Sequence, residues 1–334
     1  MTTPASRAAG LAAIVTAIAA SGALVPRHAA ADRSATTAAK VASAPRCFGA
    51  AARDLRHPCN NRRLRFMVRP RPSIAQITPN APCERVKRYG PVHPCAFGAR
   101  RAKAVGTIAL TGNSHASHWR AAVEVAADAK RWRGLSITNG ICPVSKTPWL
   151  LPEPERSQCS RWNRAVLGWL SRRPKITTVF QSQIVSHRNV SARPGEDQFA
   201  AKVRGYIEEW RAFPRSVKHI IVIRDDPRTS YTTARCVMRA RADRRRPGIA
   251  CSATRAWALQ PDPLAVAARQ TRSRRVQLID LTRFMCNERR CFAVVGGALV
   301  HKDQNHLTRV FATSLGPYLL RRLNRLSAKW RRPR

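Results

Sequence analysis

Acidic residues are scarce in this 334-residue chain, with 18 Asp and Glu against 61 Lys and Arg and a formal net charge of +43. Such an imbalance favours a polyanionic partner: nucleic acid, anionic lipid or an acidic glycan. The sequence nevertheless has no zinc-finger spacing, no aromatic RNP-like strand and no basic zipper, and its basic residues are mostly arginines spread along the whole length. These absences argue against specific nucleic-acid binding. We expect the charge to attract the protein to an anionic cell envelope.

Long hydrophobic runs are absent after residue 31, so nothing beyond the N-terminus is predicted to cross a bilayer. The exception is the alanine-rich run 8–25, which follows Arg7 and precedes the Ala-x-Ala site at 29–31. This pattern predicts an export signal over 1–31, cleaved near Ala31, with an uncleaved membrane anchor as the alternative. The expected location is the periplasm, the cell envelope or the medium. Residues 32–45 are small and polar and are predicted to form a disordered linker.

No Cys-x-x-Cys occurs, which argues against zinc-ribbon and thioredoxin-like sites, and we predict neither a metal nor another cofactor. The ten cysteines instead fit disulfides in an exported protein. Their short intervals favour pairing between neighbours, although spacing does not fix the connectivity. The predicted pairs are Cys47 and Cys59, Cys83 and Cys95, Cys142 and Cys159, Cys236 and Cys251, and Cys286 and Cys291. Residues 46–100 hold four of these cysteines and many prolines, and are predicted to form an extension packed on the main domain.

From residue 101 there is no internal repeat and no heptad; short apolar runs alternate with helical spacing. Strands separated by helices imply a parallel sheet with helices on both faces. For 101–334, which ends in a basic tail, we predict a disulfide-stabilised α/β fold: a three-layer α/β/α sandwich around a five-stranded, mainly parallel sheet. The predicted strands are 104–110, 134–138, 176–181, 218–223 and 276–281. The predicted helices are 115–131, 159–171, 197–212, 261–270 and 306–326.

The first strand ends in a Gly-Asn-Ser-His turn that leads directly into a helix and leaves Ser114 at the turn. A serine there lies at the carboxyl edge of the sheet, near the positive end of a helix dipole. Such a hydroxyl can act as a nucleophile if a base reaches it. Near the other end of the chain, Asp303 and His306 are three residues apart, so that the carboxylate can orient the imidazole. Ser114, Asp303 and His306 are therefore the predicted catalytic residues.

These two motifs, in this order, resemble the SGNH (GDSL-type) hydrolase family over about residues 45–325. In particular, they resemble the SGNH domain found at the C-terminus of bacterial membrane O-acyltransferases that modify surface glycans. The resemblance implies a flavodoxin-like sheet and acyl transfer by a serine, to water or to a sugar hydroxyl. It also implies an acylated glycan as substrate, with acetyl as the expected group, and a separate multi-span acyltransferase as partner.

The chain departs from the family pattern at two places. Asn113 stands where the family usually has aspartate, and the two further oxyanion donors of the family, a glycine and an asparagine, have no clean match. Asn139 and Gly140 after the second strand, and Gln181 or Gln183 after the third, lie where such donors are expected. The alternative is a non-catalytic, basic envelope protein that binds anionic glycan.

Other polar residues near these motifs are given structural roles. We interpret His115 and His118 as parts of a partly exposed helix face, with a role in substrate binding as the alternative. Asp225 and Asp226 are interpreted as a turn before proline, with a cation or a substrate hydroxyl as the alternative ligand. The tryptophans at helical spacing, Trp162 and Trp169, are expected in the core.

Overall fold

The computed structural model describes residues 44–330. The predicted signal segment 1–31 and nearly all of the predicted linker 32–45 lie outside these residues. Within the described part of the chain, no helix combines the length and the apolar character needed to cross a membrane.

The chain alternates between strands and helices after a short irregular start. The strands are β1 (Glu84–Arg85), β2 (Cys95–Gly98), β3 (Gly106–Gly112), β4 (Trp132–Thr138), β5 (Ile176–Ser182), β6 (His219–Ile223), β7 (Ala253–Thr254), β8 (Val276–Ile279), β9 (Arg290–Cys291), β10 (Val294–Val295) and β11 (Ala298–Leu299). The α-helices are α1 (Pro72–Ile77), α2 (Ser114–Ala129), α3 (Glu155–Ser171), α4 (Gln198–Ala212), α5 (Thr233–Ala242), α6 (Pro247–Ala250), α7 (Arg255–Ala258), α8 (Pro263–Gln270) and α9 (Arg309–Trp330).

Seven strands form the central sheet in the order β1-β2-β4-β3-β5-β6-β8. The five neighbouring strands β4, β3, β5, β6 and β8 are parallel to one another. Strands β1 and β2 run antiparallel at one edge of the sheet. The parallel part is doubly wound: the chain leaves β3 towards one edge and returns past it towards the other. Folds of this type bind ligands at the carboxyl ends of the strands where the direction reverses, here between β3 and β5.

Both faces of the parallel strands are buried, because successive side chains of a strand point to opposite faces. Ile108 and Leu110 of β3 pack with helices α2 and α9, while Ala109 packs with α3, α4 and α8 on the other face. Trp162 and Trp169 lie in this second cluster and confirm the prediction that they are core residues. The predicted three-layer α/β fold is confirmed.

The segment 46–100 contributes the two antiparallel strands, which the sequence analysis did not predict. They span only two and four residues, too short for an alternating pattern to be recognised. All five disulfides join the predicted neighbours, so that prediction is confirmed.

Candidate functional site

The turn between β3 and α2 is held tightly by its backbone and by one amide side chain. Gly112 has a φ of +140°, and a Cβ there would collide with the carbonyl oxygen of Ser182 on β5, so only glycine fits. Asn113 caps α2: its Oδ1 accepts hydrogen bonds from the backbone N–H of His115 at 3.1 Å and of Ile184 at 3.2 Å. Ser114 is therefore the first residue of α2, half-buried at the carboxyl edge, where first-turn N–H groups lack partners within the helix.

The Asp303/His306 pair forms just before α9. His306 Nδ1 lies 2.8 Å from Asp303 Oδ2, and the backbone N–H groups of Asn305 and His306 donate to Asp303 Oδ1. Burial acts to raise the pKa of Asp303, but these hydrogen bonds hold it well below its usual value, so the carboxyl is ionised at neutral pH. His306 Nε2 is buried and makes no hydrogen bond within the described residues. His306 Nε2 can therefore accept a hydrogen bond from, or donate one to, a further group such as a hydroxyl.

The two motifs lie at the same corner of the molecule. The His306 ring is 5.1 Å from the ring of His115, the residue that follows Ser114, and 5.9 Å from that of His118 (centroid distances). The first turn of α2 and the segment before α9 thus meet at the carboxyl edge, although nearly the whole parallel sheet separates them in sequence.

The four oxyanion candidates occupy different environments. Gln181 is fully buried, and its amide is engaged at both ends, with the Val144 carbonyl and with the Trp210 indole N–H. It is therefore poorly placed to donate to a substrate. Asn139 uses its Oδ1 to accept from Ile141 and Cys142, and Gly140 is exposed with open space around it.

Gln183 lies beside the turn itself. Its Oε1 accepts from the backbone N–H of Asn113 at 3.2 Å, and its Nε2 is buried without a hydrogen-bond partner within the described residues. Gln183 therefore contacts the turn that carries Ser114 through its side chain, whereas Asn139 contacts it through its backbone N–H, which donates to the Gly112 carbonyl at 3.1 Å.

A buried network of histidines and aspartates lies next to this corner, and the sequence analysis missed it. His115 Nδ1 lies 2.5 Å from Asp225 Oδ1, His118 Nε2 lies 3.0 Å from Asp226 Oδ1, and His301 Nε2 lies 2.9 Å from Asp226 Oδ2. All five residues are less than 9% exposed. The interpretation of His115 and His118 as partly exposed is therefore wrong, because α2 is covered by the sheet on one side and by α9 on the other. A signal was present: His115 lies on the same helical stripe as the buried Trp119 and Ala122.

Burial and charge shift the pKa values in this network in opposite directions. Burial raises the pKa of Asp225 to about 7, and the nearby His115 limits the rise. Burial also acts to raise the pKa of Asp226, but His118 and His301 hold it well below its usual value. For His118, burial lowers the pKa to about 4. Asp225 and Asp226 are thus more than a turn before proline: both carboxyls point into the protein.

A cavity of about 330 Å³ adjoins the Asp303/His306 segment. Its lining includes two exposed aromatic side chains, Tyr231 and Trp257, with Gln304 and Asn305 on the side of the catalytic candidates. The Arg228 guanidinium lies 4.5 Å from the centre of the Trp257 ring. Aromatic faces beside polar and cationic groups are suited to binding sugar rings and their acidic substituents.

Comparison with known proteins shows a similarity to a solved structure and a match to a protein family. The fold is similar to that of the periplasmic domain of a lipopolysaccharide acetyltransferase from Salmonella ser. Paratyphi A, with a TM-score of 0.51 and 13% sequence identity over 68% of this chain and 90% of that one. No curated protein matches the sequence. The family described as SGNH domain (fused to AT3 domains) matches residues 82–321. This match covers well over half of the sequence, from β1 to the middle of α9, and the chain therefore belongs to the SGNH domain family.

Proposed function

We propose that this protein is an exported serine esterase or O-acyltransferase that cleaves or transfers a short acyl group, acetyl in the first instance, on cell-envelope or extracellular glycans. The observation that carries the proposal is the meeting of the Ser114 turn with the Asp303/His306 pair at the carboxyl edge of one sheet. Family membership supports acyl chemistry at this place.

Each of the three residues has a role that its surroundings support. Ser114 Oγ attacks the ester carbonyl, and His306 Nε2 takes the hydroxyl proton and later gives it to the leaving alcohol. Asp303, bonded to His306 Nδ1, fixes the tautomer that leaves Nε2 as the base. The N–H groups of the first turn of α2 that the Asn113 cap leaves free, with Gln183 Nε2 beside them, are the donors we assign to the oxyanion.

The glycan substrate is supported by the cavity beside the pair. Trp257 and Tyr231 provide ring faces for a sugar, and Arg228 provides a cation for an acidic substituent. The structural neighbour is itself named as a lipopolysaccharide acetyltransferase domain, which agrees with an envelope glycan as acceptor. If the reaction is transfer, a separate multi-span acyltransferase is the expected source of the acyl group.

The second candidate function is a non-catalytic envelope protein that binds anionic glycan. Two of the expected oxyanion donors favour this function because they are already occupied. The side-chain amide of Gln181 is hydrogen-bonded in the core, and the side-chain oxygen of Asn139 caps a local turn. The unpartnered Nε2 of His306 favours the enzyme, because a buried histidine with a purely structural role is expected to hydrogen-bond through both ring nitrogens.

A fluorophosphonate probe separates the two functions, because it reacts with an activated serine and not with an ordinary one. We expect stoichiometric labelling of the oxidised wild-type protein and turnover of p-nitrophenyl acetate, both lost in Ser114→Ala. Ser117→Ala is the matched control: Ser117 lies one turn further along α2 and bonds to the Thr138 hydroxyl. Equal labelling of wild type and Ser114→Ala, or no labelling at all, would eliminate the serine mechanism.

A further inference from the structure

Four buried polar atoms near the start of α2, three imidazole nitrogens and one carboxylate oxygen, lack the partners that buried polar groups need. His115 Nε2, both nitrogens of His118 and Asp226 Oδ1 make no hydrogen bond within the described residues. His118 Nε2 does lie 3.0 Å from Asp226 Oδ1, within ion-pair distance. Almost all buried polar atoms in proteins are satisfied, so this concentration of unsatisfied atoms indicates a missing ligand.

The charge around these atoms points to a cation. The carboxyls of Asp225 and Asp226 are buried side by side, and Asp262 approaches through its bond to the Asp225 N–H. Among the described residues, the ion pairs of Asp225 and Asp226 are all with imidazoles, and none is with lysine or arginine. Buried carboxylates need a compensating positive charge, which here comes from protons on the histidines or from a bound metal.

We propose that His115, His118 and Asp226 bind a divalent transition-metal ion, with zinc as the best match. The ligand atoms of these three residues all lie within 4.8 Å of one another. A tetrahedral zinc site with ligands at about 2.1 Å requires ligand atoms about 3.4 Å apart, so side-chain shifts on the order of an ångström close the site. Two imidazole nitrogens and one carboxylate oxygen form a donor set typical of zinc.

The surrounding contacts are those of a metal site with its ligands already oriented. His115 Nδ1 lies 2.5 Å from Asp225 Oδ1 and 3.6 Å from Asp226 Oδ1, so we assign the other ring nitrogen, Nε2, to the ion. His301 donates to Asp226 Oδ2, which leaves Oδ1 for the ion. Carboxylate–histidine–metal arrangements fix the tautomer and the ring orientation in this way. The ion ties the first turn of α2, which carries Ser114, to the end of β6. His306 stays outside the ligand set, because its Nδ1 is bound to Asp303 and the proposed reaction uses its Nε2.

The experiment uses the tag-free oxidised protein, stripped with a chelator and titrated with zinc and then with cobalt(II). We expect one equivalent of tightly bound metal by elemental analysis, a thermal midpoint raised by several degrees on adding zinc, and the intense visible absorption of tetrahedral cobalt. His118→Gln and Asp226→Asn are expected to weaken binding at least 100-fold. His93→Gln, which removes an exposed histidine, is the matched control and is expected to bind as wild type does.

Two results overturn the proposal. One is the absence of stoichiometric metal together with an unchanged thermal midpoint, which would mean that protons satisfy the histidines. The other is equal binding by wild type and both ligand variants, which would place the ion on the surface. If the variants do not fold, X-ray absorption of the zinc-loaded wild type decides, since the site requires nitrogen and oxygen neighbours at about 2.1 Å. Ser114→Ala is expected to lose serine labelling but to retain the metal. A failure of the metal proposal can therefore be distinguished from a failure of the serine mechanism.

Discussion

Asp303 is held by three hydrogen bonds, two of them from the backbone of its own turn. An asparagine can keep the backbone bonds, but it can present its N–H₂ group to His306 Nδ1 and so favour the wrong tautomer. We therefore expect Asp303→Asn to lower kcat by about 10³-fold or more with little change in KM. Initial rates with p-nitrophenyl acetate measure the effect. Asp243→Asn, at an exposed helix end, is the control, and a loss below tenfold in Asp303→Asn would contradict the orienting role.

Glu209 on α4 is fully buried, and both of its carboxylate oxygens lack hydrogen bonds within the described residues. Burial raises its pKa to about 7 from an ordinary value of 4.5, and Lys146 offsets the rise only in part. The native state therefore holds a proton that the unfolded state releases, and stability falls as the pH rises from about 4.5 to 7.

Glu209→Gln removes this dependence. We expect the variant to match wild type near pH 4.5 and to exceed it by about 3 kcal/mol at pH 8, measured by urea unfolding at both pH values. Glu208→Gln is the comparison, because Glu208 is partly exposed and pairs with Arg193 and Arg204. A gain at pH 8 in both variants, or in neither, would show that burial of Glu209 is not the cause.

At the scale of elements, the β3–α2 turn depends on one side chain. Asn113 is 1% exposed and satisfies the N–H groups of His115 and Ile184, which belong to segments that follow different strands. Removing it uncaps the helix and leaves one buried and one part-buried N–H donor unpaired. We expect Asn113→Ala to lose about 2–3 kcal/mol of unfolding free energy, measured by urea denaturation.

Asn113→Asp is the matched comparison for Asn113→Ala. A carboxylate accepts the same two hydrogen bonds and places negative charge at the N-terminus of α2, where the helix dipole favours it. We expect this variant to unfold within about 1 kcal/mol of wild type and to keep its fluorophosphonate labelling. A loss as large as that of Asn113→Ala would mean that the neutral amide itself is required.

How far the sequence predicts this protein varies with the kind of element. Strand β3 and helix α2 were predicted to within about two residues, because a buried strand and an amphipathic helix of that length have clear periods. The short edge strands from residues 84–98 were missed, since their pairing depends on β4 and not on their own pattern. The buried carboxyls of Asp225 and Asp226 were also missed: their histidine partners lie more than 70 residues away in sequence, and only the fold brings them together.

For the whole molecule, burial makes the surface even more basic than the composition suggests. Among the described residues, five acidic residues are buried, namely Asp54, Glu209, Asp225, Asp226 and Asp262, whereas Arg120 is the one buried Lys or Arg there. The exposed arginines therefore face solvent with few carboxylates to neutralise them. Such a surface attracts anionic membranes and glycans over a distance set by the ionic strength.

We expect the protein to bind vesicles containing anionic lipid and to lose at least tenfold in affinity between 50 and 200 mM salt, as measured by co-sedimentation. Uncharged, zwitterionic vesicles are the control and should bind little at either salt concentration. Duplex DNA of two unrelated sequences should show the same salt dependence without a preference between them, because arginines spread over a surface contact phosphates and not base edges. Binding to zwitterionic vesicles as strong as to anionic ones would show that apolar contact and not charge drives the association.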